Sequence, residues 1–240
     1  MSNKTVIIIP TYNELQNIDK MIKEINSLGL SADILIVDDN SPDGTGNEVD
    51  ELKKKIHNLD IIRRKQKEGI GPAYIEGFRY VLKNGSYDFI IQMDADFSHN
   101  PKDIPRLLEE AKNSDVVVGS RYIADGGVSN RWGNLRKAIS KFGNIYARCI
   151  TGVGVHDMTA GFKCYNSRVL EKVDLDRIFL NGYGFQVQIL YEIAKRNFTI
   201  KEIPIFFDER TKDRSKMHLG IVAEAFFLLP LARVKSIFKK

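Results

Sequence analysis

Phe89-Ile90-Ile91-Gln92-Met93-Asp94-Ala95-Asp96 runs from an apolar strand straight into two carboxylates. An apolar run of this length bounded by polar residues reads as a strand buried on both faces. Three more such runs share its character: residues 5–9 ending at Pro10, residues 34–37, and Val116-Val117-Val118, with Ile61-Ile62 as a weaker strand. Helical spacing fills the gaps between them. Ile18, Met21, Ile22 and Ile25 mark one helix; Val49, Leu52, Ile56 and Leu59 mark another. Pro72 is placed to open a helix through Leu82. Asn100-Pro101 reads as N-cap and first helical residue, with Ile104, Leu107, Leu108 and Ala111 on the buried face. Alternating strands and helices predict an α/β fold, a mostly parallel sheet flanked by helices. Such sheets bind ligands outside the carboxyl ends of their strands.

The second half is less regular. Residues 135–151 predict an amphipathic, basic helix, and Val187, Leu190 and Ala194 another. Residues 200–207 read as an edge strand because Pro204 lies inside it. The chain of 240 residues is long enough for one substantial domain. The two cysteines, Cys149 and Cys164, form no zinc pattern and read as reduced, buried thiols of a reducing compartment. The amino end runs directly into a strand, so no signal peptide is expected, and no stretch reaches the roughly 20 apolar residues of a membrane span. A nicotinamide-dependent dehydrogenase is disfavoured because Pro10-Thr11-Tyr12-Asn13 stands where a GxGxxG turn belongs. The net charge of +5 does not point to nucleic acid, since its basic residues sit where phosphates of a nucleotide or lipid would also bind.

Three polar clusters fall at strand ends: Pro10-Thr11-Tyr12-Asn13-Glu14, the stretch from Asp38 through Thr45, and Asp94-Ala95-Asp96. A parallel sheet brings such ends to one edge, where they converge on one ligand. Tyr12 is able to stack on a base, and Asp39 to accept a hydrogen bond from an N–H of uracil or guanine alike. Two carboxylates about 4 Å apart repel by roughly 4 kcal/mol at an effective dielectric of 20. Asp94 and Asp96 therefore call for a hard cation, Mg²⁺ or Mn²⁺, and that cation suits an anionic substrate such as a nucleotide diphosphate. His99 is a poor ligand for either ion, both of which prefer oxygen. Gly69-Ile70-Gly71-Pro72 reads as a tight connection before a helix.

These motifs together resemble family 2 glycosyltransferases of the GT-A (Rossmann-like) fold, and within that family the dolichyl-phosphate or polyprenyl-phosphate mannose synthase type. Gly119-Ser120-Arg121-Tyr122, residues 159–163, residues 182–186 and Arg210-Thr211-Lys212 extend the likeness over nearly the whole chain. The resemblance implies metal-dependent, inverting transfer of mannose from GDP-mannose to dolichyl or polyprenyl phosphate. It implies that Pro10, Tyr12, Glu14, Val37 and Asp39 hold the nucleotide. Asp94, Ala95, Asp96 and Ser98 would surround metal and diphosphate, and Arg121, Arg210 and Lys216 would contact phosphates or sugar. Catalysis would centre on Asp94, Asp96, Arg121 and Arg210. It further implies a catalytic domain over residues 1–218, with a nucleotide half near 1–122 and an acceptor half near 123–218. Glucosyl transfer from UDP-glucose and a non-catalytic nucleotide-binding module are the competing readings.

A hydroxyl acceptor needs a general base, and relatives of that kind often carry a Glu-Asp pair that this chain lacks. A phosphate acceptor is already an anion and needs cations instead. Arg131, Arg136 and Lys137 are candidates for holding it, with Asp157 as a reserve base or sugar contact. Arg210, Lys212, Arg214 and Lys216 predict a phosphate-covering lid. Residues 219–240 mix Phe226, Phe227 and Leu228 with Arg233, Lys235 and Lys239, an amphipathic helix suited to a membrane surface. A peripheral enzyme at the cytoplasmic face of a membrane is expected, with or without a membrane-embedded partner subunit.

Overall fold

The computed structural model describes residues 4–208 and Pro230. Strands β1 (Thr5–Thr11), β2 (Ala32–Asp38), β3 (Leu59–Arg63) and β4 (Phe89–Gln92) alternate with helices α1 (Leu15–Ser27), α2 (Thr45–Lys53) and α3 (Ile70–Asn84). A 3₁₀ turn at Pro101–Asp103 leads into α4 (Ile104–Ala111), then β5 (Val116–Ser120), β6 (Gly127–Val128) and α5 (Asn134–Thr151). β7 (Lys163–Asn166), α6 (Ser167–Lys172), α7 (Gly182–Ala194), β8 (Ile200–Pro204) and β9 (Phe206–Phe207) complete the described chain.

Seven strands form one sheet in the order β3-β2-β1-β4-β7-β5-β8, in which β7 alone runs antiparallel to its neighbours β4 and β5. The apolar runs divide by the two-residue period of a strand. Val6, Ile8, Leu35 and Val37 face one core with α3 and α7; Ile7, Ile9, Ile34 and Ile36 face the other with α1 and α4. Burial on both faces is why these strands read as unbroken hydrophobic runs. α1 buries Ile18, Met21, Ile22 and Ile25, the expected stripe. Asn100 caps its turn as expected, accepting from the Lys102 N–H at 3.1 Å.

Four expectations need correction. The second helix ends at Lys53, and Leu59 opens β3 instead, because the chain must turn back into the sheet. The predicted strand at 200–207 is two strands: β8 closes the large sheet at its edge, and after Ile205 the chain leaves as β9 to pair with β6. Cys149 is exposed on α5, while Cys164 is buried in β7. β7 and α6 were not anticipated; β7 is only four residues long and begins with a lysine. The loop 210–216 and, apart from Pro230, the tail 219–240 lie outside the described residues.

Candidate active site

Between β2 and β4, β1 stands at the point where the chain reverses its direction of travel across the sheet. Its carboxyl end therefore opens a crevice. Thr11 pairs in register with Asp38, and the Met93 N–H donates to the Ile8 carbonyl, so the ends of β1, β2 and β4 share one edge. Each of the three turns leaving those strands contains a residue with left-handed backbone: Asn13 (φ 60°), Asn40 (φ 58°) and Phe97 (φ 62°). Asparagine tolerates that region; a bulky phenylalanine does so at a cost. The turn at Phe97 folds Ser98 back onto Asp96.

Asp38 is structural. Its buried carboxylate accepts from the Thr11 hydroxyl (2.8 Å), the Ser41 hydroxyl (2.6 Å) and the Ser41 N–H (3.0 Å), which ties the first two clusters together. Asp39 faces the next loop. It accepts from the Arg64 guanidinium and from the N–H groups of Glu68 (3.1 Å) and Gly69 (2.9 Å). Arg64 also binds Glu68 and, at 2.9 Å, Glu76. The connection at Gly69 thus orients Asp39 instead of presenting an open phosphate cradle. Gly69 has φ 102°, and a Cβ there would strike the Asn181 side chain, whose amide anchors the loop through the Glu68 carbonyl at 2.7 Å. Tyr12 lies under the Lys67 ammonium, 3.7 Å from its ring centroid, and the Glu14 N–H donates to Thr45 at 2.9 Å. Pro10 and Val37 are register partners on β1 and β2.

The acidic motif is divided in role. Asp94 is partly exposed and accepts from the Tyr74 hydroxyl at 3.2 Å. Asp96 is buried, and its Oδ1 accepts from the Ser98 hydroxyl (2.5 Å) and N–H (3.0 Å). Ala95, between them, is buried. A Cβ on Gly161 would lie 3.4 Å from Asp94 Oδ2, so the bare backbone there leaves room at the carboxylate. The donors are carboxylate oxygens, the chemistry that Mg²⁺ and Mn²⁺ favour. Among the described residues no third acidic, histidine or cysteine ligand joins them, so the rest of an octahedral shell would fall to Ser98, water or substrate oxygens. His99 is not positioned as a ligand through Nδ1, which accepts the Asp94 N–H at 3.0 Å. Burial depresses its pKa against the pull of Asp94 and Asp96, which keeps the ring neutral.

Arg121 is buried against Asp157. Its Nε donates to Asp157 Oδ2 (2.7 Å) and its Nη2 to Oδ1 (2.6 Å) and to the Thr159 hydroxyl (2.8 Å). Burial alone would lower its pKa, yet the charge and hydrogen bonds of Asp157 hold it above its ordinary value. Asp157 is completely buried, and Glu202 fixes its loop by accepting the N–H groups of His156 (2.9 Å) and Asp157 (3.0 Å). A ladder of rings and cations then leads outward. Phe207 lies 5.3 Å from the Arg121 guanidinium and 5.5 Å from the His99 ring; Trp132 meets Phe207 at 5.6 Å; the Arg136 guanidinium sits 3.8 Å over Trp132. The structure thus brings Arg136 toward Arg121. Arg131 is exposed on the turn before α5 and Lys137 is half-buried in its first turn. Arg210 and Lys216 lie outside the described residues.

Two charged residues escaped the sequence reading. Lys163 is fully buried in β7, donating to the Ala160 carbonyl and to Gln186. Burial pushes its pKa down to about 7 against the attraction of Asp157 and Asp94. A lysine inside the apolar stretch Phe162-Lys163-Cys164-Tyr165 was the available signal. Arg64 directly follows the weak strand β3, and the same strand-end logic applied there would have found it.

Strand-end carboxylates thus line the crevice together with buried cations. The chain belongs to glycosyl transferase family 2, whose profile matches residues 6–174, and it is a glycosyltransferase. It is 42% identical over 222 residues to an undecaprenyl-phosphate mannosyltransferase of Micrococcus luteus, covering 92% of this chain and 90% of that one. It is 40% identical over 231 residues to a polyprenol monophosphomannose synthase of Mycolicibacterium smegmatis, covering 94% and 85%. Among solved structures, glucosyl-3-phosphoglycerate synthase of Mycobacterium tuberculosis with Mn²⁺, UDP and phosphoglyceric acid superposes with a TM-score of 0.71 at 16% identity, covering 96% of this chain and 78% of that one. A mannosyltransferase of Pyrobaculum calidifontis with GDP-Man and Mn²⁺ gives 0.63 at 14% identity, covering 98% and 65%. These last two likenesses establish the fold.

Proposed function

We propose that this chain transfers mannose from GDP-mannose to the phosphate of a polyprenyl or dolichyl lipid, with inversion at the sugar carbon. The names of relatives 40–42% identical over most of the chain support the sugar and the lipid class. The observation that carries the reaction type is the condition of Asp157. It is buried, and both its oxygens accept from Arg121, so it is not available to deprotonate an acceptor. A lipid phosphate needs no base. One of its oxygens bonds to the sugar carbon while the bond from that carbon to the diphosphate breaks. The electron pair leaves with GDP, and no proton moves.

Within this reading the nucleotide half is near 1–122 and the acceptor half near 123–218. Pro10, Tyr12, Glu14, Val37 and Asp39 hold the nucleotide, with Arg64 keeping Asp39 oriented. Asp94 and Asp96, helped by Ser98, hold a divalent ion. When bound, such an ion neutralises charge on the departing diphosphate. Arg121, with Arg131, Arg136 and Lys137, receives the acceptor phosphate, and Arg210 and Lys216 are assigned to the donor phosphates. Work at the cytoplasmic face of a membrane, as a peripheral protein, follows from the lipid acceptor. The unpaired thiols of Cys149 and Cys164 suit a reducing compartment.

A donor-by-acceptor matrix tests this reading: GDP-mannose and UDP-glucose, each with a polyprenyl phosphate or the corresponding alcohol, with and without Mn²⁺. Turnover of GDP-mannose with the phosphate alone, dependent on metal, is the expected pattern. Preference for UDP-glucose would assign a glucosyl transfer, and turnover of the alcohol would overturn the base-free route.

A further inference from the structure

Lys163 is a buried cation that the reaction described above does not use. Phe162, Cys164 and Tyr165 around it are buried and largely apolar. A charge placed there costs the fold more than a methionine would. The sheet register gives it a counterpart. Gln92, Lys163, Val118 and Glu202 are successive register partners across β4, β7, β5 and β8, so one row carries a cation and an anion on the same face. Both reach the turn that follows α5. Glu202 accepts the N–H groups of His156 (2.9 Å) and Asp157 (3.0 Å) where the turn begins. The Lys163 ammonium donates to the Ala160 carbonyl where it ends. Between these anchors lie Asp157 and Thr159, which accept hydrogen bonds of 2.6, 2.7 and 2.8 Å from the Arg121 side chain.

We infer that Lys163 and Glu202 are a pair of positioning residues, which hold the turn from His156 to Ala160 so that Arg121 faces the acceptor phosphate. Each acts through the turn. The acid fixes N–H groups at one end and the ammonium a carbonyl at the other. A turn tied at one end only is free to carry Asp157 and Thr159 away from the guanidinium. A buried network keeps the ammonium in place. Gln186 accepts from Lys163 and from the Gln92 amide (2.7 Å), and Gln92 accepts from the Tyr165 hydroxyl (2.8 Å). The lysine therefore joins β4 and α7 to the turn. The task given to Arg121 rests on the proposed phosphate acceptor; the anchoring of the turn does not.

Lys163→Met keeps the length of the side chain and removes the ammonium. It strips a partner from Ala160 alone, since Gln186 still accepts from Gln92. Glu202→Gln keeps size and one acceptor oxygen on an edge strand, and it serves as the second variant should the first not fold. In hydrogen–deuterium exchange, peptides spanning residues 156–162 are expected to exchange at least about tenfold faster in either variant, and those spanning 10–14 and 38–45 at the wild-type rate. In steady-state kinetics, kcat/KM for a polyprenyl phosphate is expected to fall about tenfold or more. The affinity for GDP with Mn²⁺ should stay within about twofold of wild type. Because both side chains hold one turn, the double variant is expected to lose less than the product of the single losses. Wild-type exchange in the turn, wild-type use of the acceptor, or equal losses of nucleotide and acceptor binding overturn the inference; so do losses that simply multiply. A wild type that transfers no mannose to any lipid phosphate would sink the functional reading, and the exchange experiment would still decide the anchoring.

Discussion

At the scale of single residues, the Arg121–Asp157 pair dominates the energetics of the site. Both groups are buried, and they meet through two side-chain hydrogen bonds of 2.6 and 2.7 Å. Removing one charge from such a pair leaves the other desolvated and uncompensated, at a cost of about 3–5 kcal/mol. Asp157→Asn is expected to show that loss in urea unfolding; a loss below about 1 kcal/mol would mean that Arg121 finds another partner. The same pairing explains how a buried arginine stays charged where an anionic substrate arrives. Asp94 and Asp96 accept hydrogen bonds from a tyrosine and a serine hydroxyl. Asp94→Asn or Asp96→Asn is expected to lower turnover by roughly a hundredfold or more through lost metal binding. Steady-state kinetics over a Mn²⁺ titration check this, and full activity at wild-type metal concentrations would remove these residues from the metal site.

At the scale of elements, close approach of helix to sheet sets the position of the loop that orients Asp39. Gly77 lies on α3 where a Cβ would come within 2.8 Å of the Ile8 Cγ2 and 3.2 Å of the Val37 Cγ2. Alanine would improve helix propensity by about 1 kcal/mol. Overpacking two buried branched side chains costs about 1–3 kcal/mol and outweighs it. Gly77→Ala is therefore expected to lower stability in chemical denaturation; a gain would show that α3 moves away freely. The edge strand β8 is clipped to β5 at its start. Asp115 accepts from the Thr199 N–H and hydroxyl, both at 2.8 Å, and from Arg168 at 2.5 Å. Burial would raise the Asp115 pKa, but these hydrogen bonds outweigh it and leave the pKa below the ordinary value of 3.8. A depressed carboxylate contributes stability above its unfolded pKa and loses it as pH falls through its folded pKa. Thr199→Val should cost about 1–2 kcal/mol near neutral pH. The gap from wild type should narrow as acid unfolding proceeds below about pH 4, and a gap that persists there would discount the carboxylate.

For the whole molecule, the crevice joins turns from both halves of the sheet, so ligand binding should couple to global stability. At about 100 times its dissociation constant a ligand stabilises by about 2.7 kcal/mol. GDP with Mn²⁺ should then raise the unfolding midpoint by roughly 5–10 °C in a chain of this size. Thermal scans with and without a chelator check it: the rise should vanish when the metal is removed and be absent in Asp94→Asn. A chelator-insensitive rise would separate nucleotide binding from the carboxylate pair.

How much was legible in advance follows from the range of each interaction. β1, β2, β4 and β5 announce themselves because burial on both faces demands an uninterrupted apolar run. Their polar ends are legible because a parallel sheet gathers them by topology alone, without any knowledge of side-chain contacts. Those local patterns, with the joint motif, determined the α/β class and the family. Arg121 and Asp157 are 36 residues apart, and nothing near either residue specifies the other. β7 is too short to carry a period, and only its place between β4 and β5 makes it a strand. The amphipathic character of α5 was plain, but the direction of its apolar stripe was not. A helical period states that two faces differ; which one meets the protein depends on what the rest of the chain has left to bury. Tertiary structure decided which residues of α5 turn inward: Asn144 and Thr159 satisfy each other at 3.1 Å, and Ala147, Tyr146 and Ile150 pack against the core.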